Sequence, residues 1–284
     1  MKTYCYLLLI FLGLVGVVSA SAGPQAIIAN GRIEGAFGDD GIRVFMGIPY
    51  AEPQTILDGY FLTEQPQEVF FTGRQAEVPL LAGCTTAEVD YHYLLKDELP
   101  TPENFINKVR ELYGERAEEA LKLYPAANPT ESLRSATDLA SDRFLAYRTW
   151  KLIDEASKSG GQPVYRYLCA QLPPAAKDAG SSPPGTPASQ GAAHSSELPY
   201  AVGALQLVNT REWTPADYQA ADVLQGFFSN FIKTGSPNGE GLPTWPWFQA
   251  SIPKVMVIAA DPHTIPEPGL RRYQFLDTLK SSPP

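Results

Sequence analysis

The sequence predicts an α/β fold, and three observations carry that prediction. VPLLAGC, residues 78–84, is a continuous apolar run closed by a glycine, as a strand buried in a parallel sheet would be. PVYRYLC, residues 163–169, is rich in β-forming residues and reads as a second strand. Between and after them lie helix-length stretches with apolar residues on one face. Strands alternating with helices imply a sheet covered by helical layers.

The elements follow in order. Residues 1–22 read as a secretory signal peptide: Lys2 gives a positive start, residues 7–18 an apolar stretch, and residues 19–22 small side chains for cleavage. The apolar stretch is shorter than the roughly 18–20 residues of a membrane span. Residues 26–50 resemble one antiparallel hairpin, punctuated by Gly31 and Gly35 and ended by Pro49 and Pro53. Residues 58–77 read as loop. After strand 78–84, Thr101-Pro102-Glu103 is a capping start for a helix with Phe105, Val109, Leu112 and Tyr113 on one face. A second helix spans 115–123 and stops at Pro125, and a third runs from about 131 to 157 and ends at Gly160-Gly161. Residues 173–193 are rich in Pro, Ala, Gly and Ser and read as loop. A helix over 215–233 has Thr214 or Asp217 near its start and Gly235 just past its end. Residues 254–259 and 271–276 read as closing strands.

Composition excludes several classes. The chain has 284 residues, 44% hydrophobic, which is ample for a core and rules out a disordered protein. A net charge of −9 repels phosphate backbones, so nucleic acid is not an expected partner. No segment after the signal is apolar enough to span a bilayer, so an exported chain, secreted or extracytoplasmic (periplasmic in a bacterium), is expected. Cys5 leaves with the signal, and Cys84 and Cys169 are expected either to pair or to be buried thiols. The histidines are scattered and no Cys-x-x-Cys or His-Glu-x-x-His occurs, so neither metal nor other cofactor is expected.

Chemistry is expected from two strand-end loops. Glu88 lies four residues beyond Cys84, and His194 follows strand 163–169 through the long loop. Loops past the carboxyl ends of parallel strands are where α/β proteins hold reactive groups. A carboxylate fixes the tautomer of an imidazole, and the imidazole takes a proton from a nucleophile. Spacing alone equally fits a solvated carboxylate and a loop histidine; His92 and His263 are expected to be of that plain kind. Trp213, Trp245 and Trp247 read as packing residues. Asp142 is either a buried hydrogen-bond acceptor or solvated.

The wider pattern resembles a known family. IRVFMGIPYAEP (42–53) is similar to the amino-terminal signature of type-B carboxylesterases, the cholinesterase-like branch of the α/β-hydrolases. Residues 58–95 resemble the segment carrying the triad acid, with Glu88 at its position. GAAHSSELPYAVGAL (191–205) resembles the segment of the catalytic histidine, with His194 at its position. FIKTGSPNGEGLPTWPWF (231–248) and RRYQFLD (271–277) fit the carboxy-terminal part. The resemblance implies an α/β-hydrolase fold with a mostly parallel sheet, a small-molecule ester as substrate, and hydrolysis through an acyl-enzyme.

The sequence departs from that pattern in one respect. The family's nucleophilic serine sits on a Gly-x-Ser-x-Gly elbow. Here the glycines spaced four apart enclose Ile33 and Pro237, so no elbow serine is present, and no His-Gly-Gly oxyanion loop occurs. Residues 51–53 run almost directly into 54–59 where the family has a long stretch. The expectation is an incomplete α/β-hydrolase with its central strands absent, organised as signal 1–22, amino-terminal hairpin segment 23–53, carboxy-terminal part of the esterase domain 54–278 and tail 279–284. It is expected to be truncated and inactive. The alternatives are a non-catalytic binding or adhesion member of the family and a hydrolase using Ser195 or Ser196.

Overall fold

The computed structural model describes residues 64–159, 161–177 and 190–280, together with four short strands before them. The signal segment 1–22, Cys5, the tail 281–284, most of the 42–53 signature and residues 178–189 of the long loop lie outside the described residues. Two units are distinguished, residues 1–58 and 59–284.

In the first unit, β1 (Gln25–Ile28) pairs antiparallel with β2 (Gly31–Glu34), and β3 (Ala36–Phe37) pairs antiparallel with β4 (Arg43–Val44). The single hairpin expected over 26–50 is therefore two short ladders.

The second unit begins with α1 (Pro66–Phe71), a short helix in a stretch expected to be loop. Its six residues are too few for a periodic signal, but Pro66 at the first helical position favours the start. β5 (Leu80–Thr85) follows, then α2 (His92–Leu95) and α3 (Pro102–Tyr113). Thr101 caps α3 by accepting from the Asn104 N–H at 3.2 Å. Phe105, Val109 and Tyr113 are buried, as their spacing predicts. A 3-10 turn leads into α4 (Ala117–Leu123). The expected third helix is longer than its estimate and interrupted. α5 (Pro129–Ser141), capped by Asn128, passes through a π turn at Asp142–Ala146 into α6 (Tyr147–Ser159).

β6 (Val164–Cys169) lies parallel to β5, with Leu80 opposite Val164 and Cys84 opposite Leu168. After α7 (Leu198–Ala201) comes α8 (Pro215–Thr234). Thr214 and Asp217 form a reciprocal cap at its start, and Gly235 closes it at φ +76°, with its N–H bonded to Phe231 O at 2.8 Å. β7 (Lys254–Ile258) pairs parallel with β6, and β8 (His263–Pro266) pairs antiparallel with β7. β8 was not expected, because its mostly exposed residues carry no apolar signal.

The last element corrects the expectation of a strand over 271–276. These residues belong to α9 (Leu270–Lys280). Arg-Arg-Tyr-Gln-Phe-Leu has aromatic β-formers, but Leu270, Tyr273, Leu276 and Leu279 recur at helical spacing and pack into the core beside α4 and α6. Burial on that face overrides local strand preference.

The sheet order is β5-β6-β7-β8. One face, with Leu80, Ala82, Cys84, Val164 and Leu168, packs on α3 to α6 and α9. The other, with Leu81, Tyr165, Tyr167, Met256 and Ile258, packs on α7, α8 and Trp245. Gly83 permits that second layer to close, since a Cβ there would fall 2.3 Å from Tyr167 Cγ. Arg166 points into the first face and is 1% exposed, neutralised by Glu267, whose Oε2 lies 2.7 Å from Nε. Among the described residues no strand pairs with the outer edge of β5, and no helix is long and apolar enough to cross a membrane.

Candidate active site

The carboxyl ends of β5 and β6 bring Glu88 and His194 together. The chain leaves β5 through Thr85-Thr86-Ala87. Thr86 N–H still bonds Cys169 O at 3.0 Å, so the loop begins as an extension of the parallel ladder. The segment before His194 returns beside it. Ala87 N–H donates to Ala192 O at 2.9 Å, Ala192 N–H donates to Thr86 Oγ1 at 2.9 Å, and Ala87 and Ala193 form a parallel bridge. His194 N–H donates to Glu88 O at 3.2 Å. The backbone thus sets the two side chains opposite each other before either side chain contributes.

Glu88 has a buried carboxylate. Oε1 accepts from Thr85 N–H at 2.6 Å, and Oε2 lies 2.5 Å from His194 Nδ1. Facing an ionised carboxylate, which only accepts, Nδ1 is the donor of this pair, and in the Nδ1–H tautomer the free lone pair is on Nε2. The His194 side chain is 50% exposed against 2% for Glu88, so the pair is fixed at its acid end and open at its imidazole end. Nε2 makes no hydrogen bond among the described residues. The Phe144 ring stands edge-on to the imidazole, with centroids 5.4 Å apart and planes at 87°. Arranged so, the pair is able to take a proton at Nε2 and stabilise the resulting imidazolium.

Ser195, at φ +63°, turns the chain, and Ser196 N–H bonds back to Ala193 O at 3.0 Å. The buried Ser196 Oγ has no partner among the described residues, and no serine hydroxyl there bonds His194. Nothing in the geometry makes Ser195 or Ser196 the nucleophile. Glu197 is near enough to feel Glu88; burial pushes its carboxyl up, with the Glu88 charge adding to the effect.

The remaining singled-out residues stand apart from this pair. His92 begins α2 on the surface, with Nδ1 3.1 Å from Asp90 Oδ1. His263 is an exposed β8 residue beside Asp261 O. Cys84 and Cys169 are both buried and free. They lie on neighbouring strands one register step apart, so their side chains leave opposite faces of the sheet and do not meet. Burial pushes both thiols up, Cys169 to about 12. Asp142 is buried, accepting from Tyr124 Oη at 2.8 Å and Arg272 Nε at 2.7 Å, and burial pushes it up to about 6. Trp245 is buried, Trp213 donates to Val208 O, and Trp247 is exposed. No group of three His, Cys, Asp or Glu among the described residues is arranged to hold a metal. Sequence reasoning missed Thr86, whose hydroxyl ties the two loops, and Phe144; Thr86 lies within the 58–95 segment, but neither carries a titratable group that would single it out.

Comparisons with known proteins bear on the family and the fold. A model described as "Carboxylesterase family" matches residues 54–276. Carboxylesterase 5A of Canis lupus familiaris is 23% identical over 219 residues, spanning 69% of this chain and 35% of that protein. Juvenile hormone esterase of Heliothis virescens is 27% identical over 230 residues, 72% of this chain and 38% of that protein. The chain therefore spans well under half the length of these relatives. Among solved structures, a PNB esterase superposes with a TM-score of 0.56 at 24% identity, over 77% of this chain and 42% of that one. A thermophilic PNB esterase gives 0.55 at 22% identity. Both likenesses concern the fold, an α/β-hydrolase of which this chain has a part.

Proposed function

The chain belongs to the carboxylesterase family, and on that premise we propose that it carries the acid–imidazole half of a serine-esterase site and lacks the nucleophile half. The observation that carries this is the Glu88–His194 pair, with its acid buried and its Nε2 open. In the parent reaction a serine hydroxyl attacks the carbonyl carbon of a small-molecule carboxylic ester. His194 Nε2 takes the hydroxyl proton and returns it to the leaving alcohol, and water then releases the acid from the acyl-enzyme. Glu88 holds the ring tautomer and offsets the imidazolium charge.

This sequence contains no Gly-x-Ser-x-Gly, so the base has no elbow hydroxyl to deprotonate. Loss of such a nucleophile costs on the order of 10⁶ in turnover in a serine hydrolase. The proposal is therefore a truncated family member without ester turnover by this route. The outer edge of β5, unpaired among the described residues, supports it. Export is proposed from the character of residues 1–22.

Hydrolysis of a p-nitrophenyl ester by purified protein tests the reading. The expected rate equals that of Glu88→Gln and His194→Ala. A turnover that either substitution removes overturns it.

A further inference from the structure

We propose that Phe144 is a positioning residue for His194, delivered by the π turn between α5 and α6. The inference rests on the reading of Glu88 and His194 as an acid–base pair and concerns what keeps that pair aligned.

The Glu88 contact restrains the imidazole only at Nδ1. With half of its side chain exposed, the ring is otherwise free to swing about its own torsions into solvent. Phe144 stands perpendicular to it at 5.4 Å, an aromatic arrangement that favours one ring setting. Phe144 is itself backed by Tyr93, at 5.5 Å and 69°. Phe144 has no polar atom, so its effect is packing and ring electrostatics, not a hydrogen bond.

The backbone that presents Phe144 is special. α5 and α6 would otherwise form one continuous helix, but at Asp142–Ala146 the ladder widens into a π turn. Such a bulge inserts a residue and rotates the side chains that follow, and it recurs at functional sites. The turn is fixed on two sides. Asp142 accepts from Tyr124 and Arg272. Ser141 Oγ donates to Val89 O at 3.0 Å and lies 3.3 Å from Val89 N–H, and Val89 is the residue after Glu88. A closed circuit results: Glu88 to Val89, Val89 to Ser141, the π turn to Phe144, Phe144 to His194, and His194 back to Glu88. Phe144 is thereby registered to the same loop that supplies the carboxylate. Loss of its ring leaves the Glu88 loop intact and frees the imidazole.

The experiment is nitrogen-15 NMR of the three histidine rings in the full chain, with His194 assigned from His194→Ala. It reads the ratio of the Nδ1–H to the Nε2–H tautomer and needs no catalytic activity. In the unsubstituted protein Nδ1–H is expected to dominate. Phe144→Ala is expected to lower the ratio by roughly 2–10-fold, the equilibrium equivalent of one aromatic pair, and Phe144→Tyr to restore it. Tyr93→Ala, at a side chain 46% exposed, is expected to lower it by a smaller factor and serves where Phe144→Ala fails to fold. An unchanged ratio in folded Phe144→Ala, or in Tyr93→Ala where the former is unfolded, overturns the proposal. Glu88→Gln separates the two readings. A His194 ratio indifferent to Glu88→Gln sinks the acid–base pair itself, whereas a ratio sensitive to Glu88→Gln but not to Phe144→Ala sinks only the role of Phe144.

Discussion

The two edges of the sheet are built on different principles. β8 is four residues long, antiparallel to its neighbour, mostly exposed, and carries Pro266. Short length, exposed polar residues and proline are the devices by which a terminal strand resists further pairing. β5 has none of them. Its six residues, LLAGCT, are uncharged and at least half covered, and Val78 just before them is a large apolar side chain 62% exposed. β8 is finished as an edge; β5 has the composition of an interior strand. On the proposed reading, the Glu88–His194 pair stands beside the strand whose outer edge the missing half of the site would cover.

The largest effect is expected on the finished side. Glu267 follows β8 and neutralises Arg166, with both side chains 1% exposed. Glu267→Ala leaves a buried guanidinium without its carboxylate, and a loss of about 3–5 kcal/mol is expected in chemical denaturation. A loss below about 1 kcal/mol there would mean that the β8 side is not firmly locked.

A smaller effect distinguishes the strands themselves. Cys84 and Cys169 are 3% and 2% exposed, so both need a local opening to react. Among the described residues, Cys84 lies on β5, with one paired edge, and Cys169 on β6, with two. Alkylation followed by peptide mass mapping is expected to find Cys84 about tenfold faster, the equivalent of about 1.4 kcal/mol in local opening. Equal rates would break the comparison.

The smallest change in stability is expected at the open edge, where the effect appears in association instead. Val78→Lys is expected to alter stability by no more than about 0.5 kcal/mol. It is expected to reduce self-association in light scattering, while Thr264→Lys on β8 leaves association unchanged. The opposite ranking would mark β8 as the sticky edge.

Much of this was legible in the sequence, for reasons that are themselves physical. β5 and β6 each have helices packed on both faces, so runs 78–84 and 163–169 are rich in apolar and β-forming residues. Thr101, Thr214 and Gly235 sit where unsatisfied helix-end groups demand them. Glu88 and His194 were reached through strand-end placement and family resemblance. α9 was misread because Tyr273 and Phe275 are β-formers held helical by what packs on them. β8 and α1 are too short and exposed to leave a periodic signal. The π turn was invisible because a one-residue bulge leaves helical composition unchanged, and Phe144 went unnoticed with it.

The central claim is an acid–imidazole pair without its nucleophile. Incubation of the purified chain with a fluorophosphonate probe, read by intact and peptide mass spectrometry, tests it most directly, because such a probe forms a covalent adduct only with an activated serine. No adduct is expected, with or without His194→Ala. An adduct on any serine that His194→Ala abolishes would contradict the account.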